Sequence, residues 1–138
     1  MVTTVAPDGS PRGLTVNSFT SVSLHPPLIS VCIDLRCSVL PALLEGSHFG
    51  VSVLNESQRD ISSRFAGQCD SRFQGVSWRA GAARLPLLDG ALAWFECRTV
   101  QTVTAGDHVL IIGAVEGVEM FPGKPLVYFA SQYSQLAE

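Results

Sequence analysis

Charge is what this chain has least of. Asp, Glu, Lys and Arg make up 15% of its 138 residues, the net charge is −3, and lysine occurs only at Lys124. There is no basic run, hence no electrostatic footprint for nucleic acid or an anionic membrane surface, and neither partner is expected. Apolar stretches are short and cut by Gly, Pro or charge, so nothing approaches the roughly 18 to 20 residues of a spanning helix. The opening segment, Met1 to Gly9, lacks the basic start and extended apolar stretch of a secretory signal, so a cytoplasmic location is expected. Cys32, Cys37, Cys69 and Cys97 form no C-x-x-C pair, which argues against a zinc site or disulfide framework and leaves reduced thiols. His25, His48 and His108 form no His-x-x-x-His pair, so metal hydrolysis has little support. Also missing are a G-x-G-x-x-G after a strand and a G-x-S-x-G nucleophile elbow. Without acid, base or nucleophile motifs, either a bound cofactor supplies the reactivity or the protein only binds.

What the chain does have is apolar residues, 46% of the total, in a length that suits one domain over residues 1–138. So lightly charged a surface implies that some apolar area meets a second copy, as in a homodimer. Residues 1–6 are β-rich and precede the turn signal Pro7-Asp8-Gly9-Ser10, which predicts a hairpin into a strand beginning near Gly13. His25-Pro26-Pro27 is expected to break the pairing, and Leu28 to Ile33 reads as a strand buried on both faces. Ser38 is placed to cap a short helix over residues 39–44, with Pro41 in its first turn and Gly46 as its stop. Phe49 to Leu54 is the next strand. Ser57, with Asp60 in a capping-box-like position, then opens a second helix that turns Ile61 and Phe65 to the core. Residues 68–86 show little periodicity and read as irregular. The last third reads as a meander: residues 91–103, a turn at Thr104-Ala105-Gly106-Asp107, residues 108–120, a turn at Phe121 to Lys124, and a final strand over residues 125–130. In the returning strand Val109, Ile111 and Val115 share one face and Leu110, Ile112 and Ala114 the other, so both faces are expected to be covered. About seven strands with two short helices predict a closed or nearly closed antiparallel barrel.

The most informative stretch runs from Gly13 to Pro27. Leu14 and Val16 alternate with Thr15 and Asn17, and Ser18, Thr20, Ser21 and Ser23 add neutral donors and acceptors. A strand of this composition can hydrogen-bond a flat, uncharged ring with polar edges. The segment resembles the G-x-T-x-x-S-F-x-S-V-S-x-x-P-P signature of short-chain NAD(P)H:flavin oxidoreductases, the reductase components of two-component flavin monooxygenases. Three further segments carry the same resemblance. They are Val31 to Val39; Phe49 to Gln58 with Ser63-Arg64-Phe65-Ala66; and Gly106-Asp107-His108 with Gly113, similar to a G-D-H-x-x-x-x-G element. The closing Leu126 to Tyr133 is similar to the family's L-x-Y-x-x-x-x-Y tail.

The resemblance implies a mainly β, FMN-binding split β-barrel, antiparallel and Greek-key-like, with two or three short helices. It implies FMN or FAD as the flavin, NADH or NADPH as the reductant, and a partner monooxygenase that receives reduced flavin. It places Thr15, Val16, Asn17, Ser18, Thr20 and Ser21 along the flavin ring, and Asp34, Leu35, Arg36, Cys37, Ser38 and Val39 along its ribityl and phosphate groups. A helix N-terminus and Arg36 would suit a phosphate on independent grounds, although Ser38 read alone is an ordinary helix cap. Arg64 is a further phosphate candidate. His108, Tyr128, Ser131 and Tyr133 fall on positions near the nicotinamide nucleotide, although His108 read alone is a polar turn residue. The chain departs from the pattern in two places. Relatives usually carry an N-terminal segment with a helix ahead of the first strand, which is not found here. Around Tyr133, where many relatives have basic residues, stand Gln132, Ser134 and Gln135. A non-catalytic FMN-binding barrel and a pyridoxamine phosphate oxidase-like flavin oxidase are the alternatives.

Overall fold

The hairpin expected at the start of the chain forms in the structure, a computed structural model that describes residues 1–67 and 72–137. Cys69 therefore lies outside the described residues. Eleven strands follow in chain order: β1 (Val2–Val5), β2 (Pro11–Leu14), β3 (Thr20–Leu24), β4 (Pro27–Asp34), β5 (His48–Val53), β6 (Trp78–Ala80), β7 (Pro86–Leu88), β8 (Ala93–Ala105), β9 (His108–Met120), β10 (Val127–Phe129) and β11 (Gln132–Ser134). Two helices, α1 (Leu40–Glu45) and α2 (Arg59–Ala66), complete the regular structure of the described residues, with a 3-10 turn over Glu56–Gln58 leading into α2. No helix among the described residues is long and apolar enough to cross a membrane.

Seven strands form one antiparallel sheet in the order β2-β1-β5-β8-β9-β4-β3. One apolar cluster draws on six of them, with Val2, Leu14, Val31, Phe49, Cys97 and Ile111 among its members, so the sheet curves about a shared core. Leu40 and Leu43 of α1 join that cluster. Among the described residues no ladder joins β2 to β3, so the barrel expected to be closed or nearly closed is open between its first and last strands. The meander is anchored by the long β8–β9 ladder, whose turn is only Gly106-Asp107, with Gly106 left-handed at φ +58. Val109 and Ile111 are buried and Val115 packs against the same core. Leu110, Ile112 and Ala114 are only half-buried, so the outer face is not covered by the chain itself, contrary to expectation.

Other departures have local causes. The hydroxyl-rich segment is not one strand: residues 15–19 leave the ladder between β2 and β3. His25-Pro26 does not break the pairing but is the turn of the β3–β4 hairpin, with Leu24 opposite Pro27. Ser38 is exposed and caps nothing, since Val39 occupies the cap of α1 with no side-chain bond. The capping box ahead of α2 lies earlier than expected. Asn55 Oδ1 accepts from Ser57 N–H at 3.0 Å, and Gln58 Oε1 accepts from Asn55 N–H at 2.9 Å. Asn is as good a cap as Ser, and the Gln58 amide is further tied to Asp89 O at 2.8 Å. β6, within the stretch read as irregular, and β7, which starts at its end, form a three-pair hairpin too short to give a period. The expected final strand is instead the β10–β11 hairpin, turned by Ala130 and Ser131 at φ 50 and 61.

Candidate functional site

The gap between β2 and β3 builds the site. Thr15 is pinned to α2: its N–H donates to Phe65 O at 3.1 Å and its hydroxyl to Ser62 O at 2.7 Å. Ser18 is pinned to β4, its hydroxyl accepting from Cys32 N–H at 2.9 Å and donating to Cys32 O at 3.1 Å. Both hydroxyls are thus structural anchors. Held between them, Val16 and Asn17 have backbone N–H groups without a partner among the described residues. Thr15, Val16 and Asn17 line two cavities, one on each side.

The first cavity, about 440 Å³, is mainly apolar. Phe19, Val51, Leu54 and Leu126 line it with Tyr128 and Tyr133 of the tail hairpin. The two tyrosine rings meet edge to face at 5.2 Å. The Tyr133 hydroxyl donates to Ser62 Oγ at 2.9 Å and accepts from Ser63 Oγ at 3.3 Å, which fixes the tail hairpin to α2.

The second cavity, about 780 Å³, is polar, with Ser18, Cys32, Asp34, Arg36, Arg72 and His108 in its wall. Its three cationic or potentially cationic groups differ in how they are compensated. Arg36 is held by Asp34, which accepts from Arg36 Nε at 3.1 Å, Nη2 at 3.0 Å and backbone N–H at 2.8 Å. These bonds hold the Asp34 carboxyl down to about 2. His108 Nδ1 lies 2.7 Å from Asp107 Oδ1, and that hydrogen bond lowers Asp107 below the usual carboxylate range. Arg72 is different: its guanidinium donates to Gly13 O and Gly67 O, while its Nε is buried without a partner and no carboxylate pairs with it among the described residues. A buried, unpaired donor on a permanent cation at a polar cavity suits a phosphate or another anion. Chemically, the arrangement offers backbone donors, unpartnered among the described residues, for a ring edge between a polar cavity and an apolar, aromatic one.

The structure brings together part of the expected set. Ser18, Asp34, Arg36, Cys37 and Ser38 join Thr15, Val16 and Asn17 at the polar cavity. Thr20 and Ser21 are exposed on β3 and Leu35 is exposed in the loop after β4, while Val39 is 3% exposed in the core. None of these four lines either cavity. Arg64 bonds Gln74 O at 2.7 Å and also lines neither. His108 is separated from Tyr128 and Tyr133, being in the polar wall while they are in the apolar one, and Ser131 lies in the hairpin turn outside both. Sequence reasoning missed Phe19, Cys32, Ser62 and Arg72. Cys32 could have been found from its alternation with buried Val31 and Ile33. Arg72 lies where no periodicity gave a signal.

Comparison with known proteins identifies the family. The family model described as "Flavin reductase like domain" matches residues 1–137. A flavin reductase (NADH) from Kitasatospora aureofaciens is 42% identical over 98% of this chain and 73% of its own length. The reductase component of a flavin-dependent trigonelline monooxygenase from Acinetobacter baylyi is 42% identical over 96% of this chain but only 43% of its own length. The chain spans half or less of the length of several curated relatives it matches. Among solved structures, an NADH:FAD oxidoreductase from Streptomyces globisporus, in complex with NAD and FAD fragments, superposes with TM-score 0.93 at 33% identity, covering 99% of this chain and 82% of that one. A match along nearly the whole chain in sequence and in fold places this protein in the flavin reductase like domain family.

Proposed function

We propose that the protein is an NAD(P)H:flavin oxidoreductase that reduces FMN or FAD and releases it to a partner monooxygenase. The observation that carries this reading is the wall of Thr15, Val16 and Asn17 shared by a polar and an apolar cavity, which gives two nucleotides adjoining places. Arg72 would hold the flavin phosphate in the polar cavity, and the N–H groups of Val16 and Asn17 would hold the polar edge of the ring. Bound flavin supplies the hydride acceptor. Phe19, Tyr128 and Tyr133 would shelter the nicotinamide ring from water in the apolar cavity. Free backbone N–H donors, fixed before any ligand arrives, favour negative charge developing on a ring edge without reorganisation. No side chain need act as an acid or base, which agrees with the absence of such motifs.

The curved sheet is one protomer of an FMN-binding split barrel, and residues 1–138 are one domain. A second copy would cover the half-buried outer face of β9 and the exposed Val22 and Leu24 of β3, which are 48% and 80% exposed. A cytoplasmic setting supplies the reduced nucleotide. The test is absorbance at 340 nm with purified protein, NADH or NADPH, and FMN or FAD from catalytic amounts to excess. Oxidation that saturates with flavin is expected. Tight flavin binding with no nucleotide oxidation would refute the reading in favour of a binding module.

A further inference from the structure

Gln132, Ser134 and Gln135 around Tyr133 carry no charge, and the fold brings a cation there from another element. Arg59, the first residue of α2, places its guanidinium carbon 5.0 Å from the centroid of the Tyr133 ring. That ring is part of the apolar cavity wall, and its hydroxyl is fixed by Ser62 and Ser63. Arg59 is exposed, and no carboxylate pairs with it among the described residues. A guanidinium steadied on an aromatic face keeps its planar fork available and loses less freedom when it binds. Uncompensated among the described residues, it therefore stands over a wall residue of the cavity assigned above to the nicotinamide ring, within reach of a group that extends from that cavity past Tyr133.

We infer that Arg59, presented by α2 over the Tyr133 ring, binds a phosphate of the nicotinamide dinucleotide. The inference rests on the reductase reading. Arg59 acts on binding and leaves hydride transfer alone, so its loss raises KM and spares kcat.

The experiment titrates NAD+ and NADP+ calorimetrically into protein saturated with oxidised FMN, so that no turnover occurs, and compares wild type with Arg59→Met and Arg59→Lys. Methionine keeps an unbranched stem against Tyr133 without the charge. Arg59→Met is expected to weaken nucleotide binding about tenfold, the scale of one charged hydrogen bond near the surface. Arg59→Lys should recover part of that loss, and FMN affinity and the melting temperature should be unchanged. A loss shared by NAD+ and NADP+ assigns the pyrophosphate, and a loss confined to NADP+ assigns the 2′-phosphate; either supports the inference. Wild-type affinity for both nucleotides in Arg59→Met overturns it. So does equal weakening in both variants accompanied by a lowered melting temperature, because that marks a structural role. If wild type oxidises NAD(P)H with added flavin while Arg59→Met binds normally, only this inference fails. If wild type neither binds nor oxidises the nucleotide, the reductase reading fails and takes the inference with it.

Discussion

Gly113 is the residue whose substitution tests the packing behind the site most directly. It sits in β9 opposite Thr99 of β8 and Ile29 of β4, in the middle of the sheet. A Cβ added there would lie 2.5 Å from Phe49 Cζ, 2.7 Å from Cε1 and 2.8 Å from Cys97 Cβ. None of these atoms can move aside freely. Phe49 is 1% exposed within the main cluster, and a Cβ on the neighbouring strand moves only if the strands part. Forcing one carbon into a packed core costs about 1–3 kcal/mol. Replacing glycine also stiffens the unfolded chain, which offsets about 0.4–1 kcal/mol. Gly113→Ala should therefore lose about 1–2 kcal/mol, and at roughly 4 °C per kcal/mol for a chain of this size its melting midpoint should fall about 4–8 °C. Denaturant unfolding followed by the fluorescence of buried Trp94 would read the change. Phe49→Leu should be destabilising alone but should cost less in the Gly113→Ala background, with a coupling of about 1 kcal/mol. A Gly113→Ala protein as stable as wild type, or a double mutant additive to within about 0.3 kcal/mol, would refute the steric argument.

Two further outcomes follow from the polar cavity and the core. Arg72→Gln should weaken FMN binding about 10- to 100-fold, as expected for a charged hydrogen bond, and weaken riboflavin binding much less, because riboflavin has no phosphate. Equal losses for FMN and riboflavin in a fluorescence titration would mean that Arg72 only supports the fold through Gly13 and Gly67. Burial, reinforced by Glu116 and Glu96, pushes the Cys97 thiol up from 9.0 to about 12. The folded state then holds a proton that the unfolded chain loses, so the stabilisation is complete below pH 9 and declines toward pH 12, by at most about 1.4 kcal/mol per pH unit. Unfolding measured between pH 8 and 10.5 should show that decline in wild type and a shallower one in Cys97→Ala; identical slopes would sink the assignment.

Elements with strong local chemistry were legible in the sequence. Pro7 to Ser10 marked the first hairpin, the apolar run at Leu28 to Ile33 marked β4, and Ile61 with Phe65 gave α2 its inward face. What could not be read depended on contacts between distant residues. The capping box moved to Asn55 and Gln58 because Gln58 is also bonded to Asp89, 31 positions away. The β6–β7 hairpin is held by burial of Leu87 and Leu88 rather than by its own pattern. At the candidate site, Thr15 to Ser18 line a cavity and Thr20 and Ser21 line neither. Thr20 and Ser21 share the composition of their neighbours, and only the turn into β3 shows that they face outward.

The hydroxyls of residues 15–18 matter for a reason that composition alone does not reveal. A backbone N–H within a ladder has its partner already and cannot serve a ligand, so a strand continuing past Leu14 would have lined the site with side chains alone. Leaving the ladder normally exposes backbone groups to an unfavourable burial unless something replaces the lost bonds. Thr15 and Ser18 replace them at the two ends of the break, Thr15 toward α2 and Ser18 toward β4. The segment is then held at both ends without being a strand, and the two residues between the anchors keep their N–H groups unpartnered among the described residues. Because those donors are backbone atoms, the side chains of Val16 and Asn17 remain free to shape each cavity. The hydroxyl-rich composition thus makes the site indirectly, by holding the chain off the sheet where its own amides can reach a ligand.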